Sequence, residues 1–147
     1  MSDLTKTIKL RIHGSPEQEI LFRQMTEHYR QACNFVSQYI FGNQFNLAYQ
    51  SLNKALYSDL RLLFGLKSQL AQSSIKTAIA RYKTVKQQLF QKPYKYKDED
   101  GSWKYITKTL EWLWKPIFFK RLQADLVRNR DYSFVDNGQS LSINTLG

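Results

Sequence analysis

Four polar residues at helical spacing are the best candidates for binding chemistry in this sequence: Ser68, Gln72, Lys76 and Lys83. At about 100° per residue they lie along one side of a helix, and we call them the polar row. Lysine attracts phosphate without reading sequence, whereas an amide or a hydroxyl on the same surface can pair with base edges. An ordinary solvated helix face would have the same spacing, so both interpretations stay open.

The charge around the polar row favours the first interpretation. From Arg61 to Lys97 the chain carries nine lysines or arginines and no aspartate or glutamate. The whole chain has a formal charge of +10 and an isoelectric point near 9.7. A basic surface without compensating carboxylates indicates a polyanionic partner, usually nucleic acid, so we predict phosphate contacts for Lys76 and Lys83.

Length and composition predict one folded domain. The 147 residues are 42% apolar and 14% aromatic, which excludes a disordered basic tail. The only cysteine, Cys33, lies in an apolar helical pattern, so we expect a buried thiol and no disulfide. No apolar run approaches the ~18 residues of a membrane helix, and the N-terminus lacks the apolar core of a secretion signal. We therefore predict a cytoplasmic protein without a membrane partner.

The sequence shows no arrangement of residues that is typical of catalysis or metal binding. His13 and His28 have no cysteine or carboxylate at metal-ligand spacing. The acidic cluster at residues 98–100 precedes Gly101 and is typical of a solvated turn. The glycines are dispersed, so no phosphate-binding loop is formed from them. We assign no catalytic or metal-binding residue, and nothing indicates an enzyme that acts alone.

Alternation and capping signals predict the first elements. Residues 5–12 alternate polar and apolar side chains, which indicates a half-buried strand. Ser15, Pro16 and Gln18 form a capping-box signal for a helix that ends at Gly42.

Two further helices are predicted. The second covers residues 52–64, with Ser51 as its cap and Gly65 as its end. The third begins near Ser68 and ends before Pro93. Its packing stripe consists of Ala71, Ile75, Ala78, Tyr82, Val85 and Leu89.

The second half of the chain is predicted to contain two hairpins. The first joins residues 94–97 to residues 103–106 through the acidic turn, and residues 110–119 follow as an irregular segment or a short helix. The second joins residues 132–135 to residues 140–146 through an Asn-Gly turn, the commonest two-residue turn pair.

The aromatic residues between the hairpins have two possible roles. Trp103, Tyr105, Trp112 and Trp114 belong either to the core or to a surface that stacks on bases. Basic residues surround them and predict a second phosphate-facing surface: Lys115, Lys120, Arg121, Arg128 and Arg130.

Three segments, in family order, resemble TnpB (OrfB-type) transposon proteins. The first is KTIKLRI with SPEQEILFRQMTEHYRQACNFVSQYIF, and the second is LNKALYSDLRLLFGLKSQLAQSSIKTAIARYKTVK. The third is PIFFKRLQADLVRNRDYSFVDNGQSLSINTLG. The family consists of RNA-guided DNA endonucleases related to type V CRISPR effectors.

The resemblance implies an α+β fold, in which a bundle of about three to four helices is inserted into a β-barrel-like wedge domain, incomplete in this chain. Residues 1–14 would be the first wedge strand and residues 15–92 the helical recognition domain. Residues 93–130 would be an aromatic and basic connecting region, and residues 131–147 the start of the remaining wedge strands. Exposed edges of those strands would allow self-association.

The resemblance also implies partners and site residues. The partners would be guide RNA with its heteroduplex and double-stranded DNA, in which the protein reads a short target-adjacent motif. Gln72 matches a glutamine that contacts bases, Ser68 occupies a nearby matching position, and Tyr49 corresponds to an aromatic contact. Arg128 and Arg130, like Lys76 and Lys83, are candidates on charge alone.

Cofactors are expected only outside these segments. The family uses magnesium and zinc in a RuvC nuclease and a zinc module, whose ligands have no counterparts here. We therefore expect no cofactor in this chain and do not carry the cutting activity over to it. Two alternatives stay open: a free-standing DNA-binding regulator derived from a transposon protein, and a helical protein-interaction module.

Overall fold

Three long helices followed by two small antiparallel sheets form the computed structural model, which describes residues 5–146. The helices are α1 (Pro16–Gly42), α2 (Tyr49–Phe64) and α3 (Ser68–Gln91). The predicted α+β class and the helical block are confirmed.

Local capping explains where the helices begin and end. At the start of α1, Ser15 Oγ accepts from Gln18 N at 3.2 Å and Gln18 Oε1 accepts from Ser15 N at 2.9 Å, as the capping box predicts. Gly65 ends α2 in the left-handed conformation (φ 64°), also as predicted. The third helix begins at Ser68 and ends two residues before Pro93.

The predicted start of α2 was wrong by one turn. The helix begins at Tyr49, and its N-cap, Ala48, makes no side-chain cap. Asn46 organises the entry instead, because its Oδ1 accepts from Ala48 N and its Nδ2 donates to Ser51 Oγ, both at 3.0 Å. An asparagine turn before the helix thus replaces the expected serine cap.

The core lies where α3 packs against α1 and α2. Four members of the predicted α3 stripe are buried, and Val85 and Leu89 are half-buried where the helix extends beyond its neighbours. Cys33 is buried in the same core, as predicted. The α1 side of the core is formed by Met25, Tyr29, Ala32, Val36 and Ile40.

A buried hydroxyl connects α1, α3 and the segment that follows the first hairpin. The Tyr82 hydroxyl on α3 donates to the Ser37 carbonyl at 3.0 Å and accepts from Ile117 N at 3.2 Å. The Ser37 hydroxyl lies 2.9 Å from the Tyr82 oxygen and donates to the Ile117 carbonyl. Because these groups are hydrogen-bonded, burying them does not carry the full penalty of desolvation.

The segment around Phe119 is also attached to α1. Asn34 Oδ1 accepts from Phe119 N at 2.7 Å, and Asn34 Nδ2 donates to the Phe119 carbonyl at 3.1 Å. Arg30 donates to the same carbonyl and pairs with Glu27. An irregular segment without a ladder of its own thus obtains backbone partners from helix side chains.

Each sheet is a two-stranded hairpin. The first hairpin joins β1 (Tyr94–Lys97) to β2 (Trp103–Ile106), as predicted. The irregular segment after it contains one short 3₁₀ turn at Leu110–Trp112. The second joins β3 (Tyr132–Val135) to β4 (Ser140–Ile143). Residues 5–146 contain no closed barrel.

The loop of the second hairpin is longer than predicted. Residues 136–139 form a four-residue connection rather than a two-residue Asn-Gly turn. Asp136, Asn137 and Gly138 all have positive φ, at 53°, 57° and 84°. Asp, Asn and Gly tolerate this left-handed region best, which explains why this particular sequence accommodates the loop.

The expected strand at residues 5–12 is not formed, and this part of the prediction was wrong. The side chains that were expected to be half-buried are exposed, at 76% for Ile8 and 71% for Leu10. Alternation specifies a strand only where another strand supplies hydrogen bonds, and no strand within residues 5–146 pairs with this segment. Residues 1–4 of the predicted wedge segment lie outside the described residues.

None of the helices that the structure describes has the length and apolar character to cross a membrane.

The Tyr82 network generates a stability prediction. Tyr82→Phe leaves the Ile117 N–H without its acceptor, so the free energy of unfolding should fall by about 1–3 kcal/mol. Urea denaturation measures the change. Tyr105→Phe is the control, because this hydroxyl lies on a side chain that is 62% exposed, and it should have no effect.

A double-mutant cycle with Ser37→Ala tests whether the network acts as a unit. The combined variant should lose less stability than the sum of the two single variants, because both remove parts of one network. Simple additivity would contradict the proposed coupling.

Candidate nucleic-acid interface

The polar row lies beside α2 and forms one side of a continuous surface. Three residues join α2 to α3, and α3 runs back along α2. The end of α2 therefore faces the start of α3, and the start of α2 faces a part of α3 that is further along the chain. Tyr49, Asn53 and Tyr57 recur every four residues on α2. Together with Ser68, Gln72 and Lys76 on α3 they form what we call the α2–α3 seam.

Contacts at the two ends of the seam establish its alignment. Near the turn, the hydroxyl oxygens of Tyr57 and Ser68 are 2.6 Å apart and hydrogen-bonded. At the far end, Lys76 Nζ lies 5.1 Å from the centroid of the Tyr49 ring. A cation–π contact of this kind contributes about 0.5–1 kcal/mol at an exposed site, enough to orient the lysine without burying its charge.

Two amide side chains occupy the middle of the seam. Asn53 is one helical turn from both tyrosines, and Gln72 is one turn from both Ser68 and Lys76, so helix geometry places them at the same level. Gln72 is partly buried. Within the described residues, the buried Asn53 Oδ1 has no hydrogen-bond partner. An unpaired buried acceptor costs about 1–3 kcal/mol, so this asparagine is destabilising where it stands.

Asn53 was missed by the sequence analysis. Its signal was present as the four-residue spacing to Tyr49 and Tyr57, but the predicted helix began at residue 52 and left Tyr49 outside it. Once α2 begins at Tyr49, the three side chains fall on one face. The sequence-predicted residues Tyr49, Ser68, Gln72 and Lys76 are thus brought together by the fold.

The seam lies within a strongly basic pair of helices. Residues 49–91 contain seven lysines or arginines and a single carboxylate, Asp59. Asp59 is two positions from Tyr57, which places it on the far side of α2. Lys83 is exposed two turns beyond Lys76 and continues the positive surface along α3.

The beginning of α3 adds further anion-binding groups. Its N-cap is Lys67, which makes no side-chain cap, and its first turn contains no acidic residue. The first backbone N–H groups and the helix dipole therefore favour a negative ligand. Next to it, Tyr57, Arg61, Gly65 and Lys67 line an open depression of about 390 Å³.

The structure separates the two arginine candidates. Arg130 Nη1 donates to Gln69 Oε1 at 2.9 Å, so this arginine lies at the first turn of α3, close to the seam. Arg128 instead lies over the Phe134 ring of the second hairpin, at 5.2 Å from its centroid. The second basic surface predicted from sequence is therefore split, with one arginine joined to α3 and the other to β3.

The pKa values of two tyrosines in the seam and of the buried Cys33 on α1 are shifted by their surroundings. Burial raises the pKa of Tyr49, with a smaller contribution from Tyr57, and the hydrogen bond with Ser68 lowers the pKa of Tyr57. Burial raises the pKa of the Cys33 thiol to about 12, so it stays protonated. The part of the chain that the structure describes contains no group of three or more histidine, cysteine, aspartate or glutamate residues that could hold a metal ion.

Comparisons of the chain with protein-family models, with curated proteins and with solved structures find no match. The resemblance to TnpB-type proteins therefore stays a prediction.

Asn53 gives the site a direct test. Asn53→Leu removes an unpaired buried acceptor and adds apolar surface, so the free energy of unfolding should rise by about 1–2 kcal/mol. The same change should weaken binding of duplex DNA if the amide serves the seam. Thermal denaturation and fluorescence anisotropy measure the two effects, and a less stable leucine variant would contradict this account of Asn53.

Proposed function

We propose that this chain binds double-stranded DNA along the α2–α3 seam, as the wedge and recognition part of a TnpB-like RNA-guided DNA nuclease. In this role it contacts guide RNA, the guide–target heteroduplex and a short motif beside the target. The observation that carries the proposal is the seam itself, where amide and hydroxyl groups lie between cations on a helix pair nearly free of carboxylates.

The phosphate contacts are made at the two ends of the seam and by Lys83, which continues the positive surface along α3. Lys76 and Lys83 extend along α3, and Arg130 lies at its first turn beside uncapped N–H groups. Such contacts position a duplex and supply most of the salt-dependent affinity, but they carry no sequence information. The spread of charge over several turns suits an extended polyanion better than a small anion.

Base contacts come from the middle of the seam. The Gln72 amide has a donor and an acceptor, the pair that matches N7 and N6 of adenine in the major groove. The contact with the Tyr49 ring restricts the Lys76 side chain next to this amide. The amide thus lies between Lys76 and Ser68, each of which contacts a tyrosine of α2. One good bidentate contact discriminates against the wrong base by about 1–3 kcal/mol, which is enough for a short motif.

The guided part of the proposal rests on the resemblance. In such proteins base pairing with RNA supplies target specificity, and the protein reads duplex shape and a short motif. In the family that the chain resembles, the nuclease with its magnesium and zinc ligands belongs to other modules than the segments that carry the resemblance. The proposal includes a cytoplasmic location, and self-association through free strand edges remains part of it.

A free-standing DNA-binding regulator is the second candidate. The observation that favours it is the three-residue connection between α2 and α3, which contains Gly65 in the left-handed conformation. Helix-turn-helix proteins use a turn of this length and read bases with the first residues of the second helix, but their two helices cross at about 90–120°, whereas α3 runs back along α2. RNA affinity separates the candidates, because the guided protein must bind RNA and the regulator needs duplex DNA alone.

Charge reversal tests the phosphate contacts. Lys76→Glu combined with Lys83→Glu should weaken binding to all duplex sequences, and should reduce the slope of log affinity against log salt by about 2. Fluorescence anisotropy between about 50 and 200 mM salt measures both effects.

The matched control is Arg23→Glu combined with Arg81→Glu, which changes the net charge equally on other surfaces. Arg81 is five residues after Lys76 and so lies on another side of α3. The control should reduce affinity much less than the seam variant. Equal losses would mean that overall charge, and not the seam, binds DNA; negligible affinity of the unmodified chain at low salt would refute the proposal.

Sequence reading is tested by Gln72→Ala. Selection from a randomised duplex pool should show a relaxed preference at one base pair, with discrimination reduced about 5- to 150-fold. The control is Gln88→Ala, an exposed glutamine on the opposite side of α3. Unchanged preference in the Gln72 variant would remove this residue from the site.

A further inference from the structure

One face of the first hairpin presents aromatic rings and lysines together. In the β1–β2 register Lys95 is opposite Tyr105 and Lys97 is opposite Trp103, so these four side chains share a face. Trp103 is 57% exposed and Tyr105 is 62% exposed. We call these four residues the aromatic face.

The lysines of this face lie against its rings. Lys95 Nζ is 4.5 Å from the centroid of the Trp103 ring and 5.9 Å from that of Tyr105, and Lys97 Nζ is 6.0 Å from that of Trp103. Positive charge and π surface are therefore presented at the same place. A ligand that fits both must be flat, aromatic and negatively charged.

The other face of the hairpin is already used by the fold. Tyr94 lies 6.3 Å from Tyr96 and 5.8 Å from Trp112, ring centre to ring centre, so this face is attached to the segment that follows. The aromatic face has no such packing role. A two-stranded hairpin with large exposed rings gains little stability from them, which indicates a role in binding.

We propose that the aromatic face binds unpaired bases of an RNA strand, with Trp103 and Tyr105 each stacking on one base and Lys95 and Lys97 contacting the flanking phosphates. This inference rests on the proposed function, in which RNA is the partner that supplies unpaired bases. Aromatic side chains on a strand surface, combined with nearby cations, suit the stacking mode of single-strand recognition.

Ring spacing favours an unpaired strand over a duplex. Side chains two positions apart on a strand are about 7 Å apart, roughly twice the spacing of stacked bases. Bases that occupy both rings must therefore be splayed, which a paired helix does not permit. Lys95 leaves the rings when bases cover them, and its ammonium group is then free to contact phosphate.

The acidic turn limits where the bound strand can extend. Asp98 Oδ1 accepts from Glu99 N, and Asp100 Oδ1 accepts from Ser102 N, so these carboxylates are held at the tip of the hairpin. They repel phosphate at the tip itself, beyond the Lys97–Trp103 pair. The bound strand therefore extends past the Lys95–Tyr105 end of the face and not past the tip.

Anisotropy of the whole chain with a fluorescent, unstructured RNA of about a dozen nucleotides tests the proposal. Trp103→Leu combined with Tyr105→Leu keeps apolar bulk on the strand and removes the rings. Affinity for this RNA should fall about tenfold or more, whereas affinity for duplex DNA should stay within about twofold. Cross-strand NMR contacts between Tyr94 and Ile106 report whether the hairpin stays folded.

Two variants provide controls. Trp103→Phe combined with Tyr105→Phe keeps both rings and should retain RNA affinity within about threefold. Trp114→Leu removes an 83% exposed tryptophan that also has a lysine over its ring but lies outside the hairpin, and should change nothing. Equal losses in the leucine and phenylalanine variants would overturn stacking, and so would wild-type affinity in the leucine variant.

The two proposals fail in different ways. If the unmodified chain binds both nucleic acids and the leucine variant keeps wild-type RNA affinity, the aromatic face is refuted while the proposed function stands. If the unmodified chain binds duplex DNA but not the RNA, the aromatic face and the RNA-guided part of the proposed function both fail, and the DNA-binding regulator remains. If it binds neither nucleic acid at low salt, the proposed function fails as well.

Discussion

The hydrogen bonds of the buried Tyr82 hydroxyl are the constraint that joins α1, α3 and the segment around Ile117. A buried hydroxyl needs partners, and those of Tyr82 are Ser37 on α1 and the backbone at Ile117. Rotation of α3 about its axis would break these bonds and bury polar groups without compensation. Together with the apolar stripe of α3, the network holds one side of this helix in the core and leaves the polar row beside α2. The proposed binding surface is thus linked to how the core satisfies one tyrosine.

The seam contains both stabilising and destabilising contacts. Its ends are stabilised by the Tyr57–Ser68 hydrogen bond and the Tyr49–Lys76 contact, whereas its middle contains an unpaired acceptor at Asn53. A leucine at position 53 would suit the helix pair better. Binding sites are often less stable than they could be, because a ligand supplies partners that the fold does not. An unpaired polar group on a basic surface is expected at such a site.

Two surfaces with different chemistry follow from the two halves of the chain. The helical half presents cations and amides on rigid elements, which suits the regular backbone and groove edges of a duplex. The first hairpin presents exposed rings with lysines above them, which suits splayed bases. The proposed assignment of duplex DNA to the seam and of RNA to the hairpin follows from the chemistry of each surface.

Features that depend on near neighbours along the chain could be predicted from the amino-acid sequence. Four such features were predicted, because each is specified by residues close together along the chain. They are the capping box at Ser15, the glycine at the end of α2, the packing stripe of α3 and the first hairpin. The strand predicted at residues 5–12 is not formed, because a strand needs partners that its own alternation does not supply. Tertiary structure alone buried Asn53 Oδ1 without a hydrogen-bond partner among the described residues, joined Arg130 to Gln69 and left Trp103 and Tyr105 exposed. Those features depend on which surfaces meet, and packing between distant segments decides that.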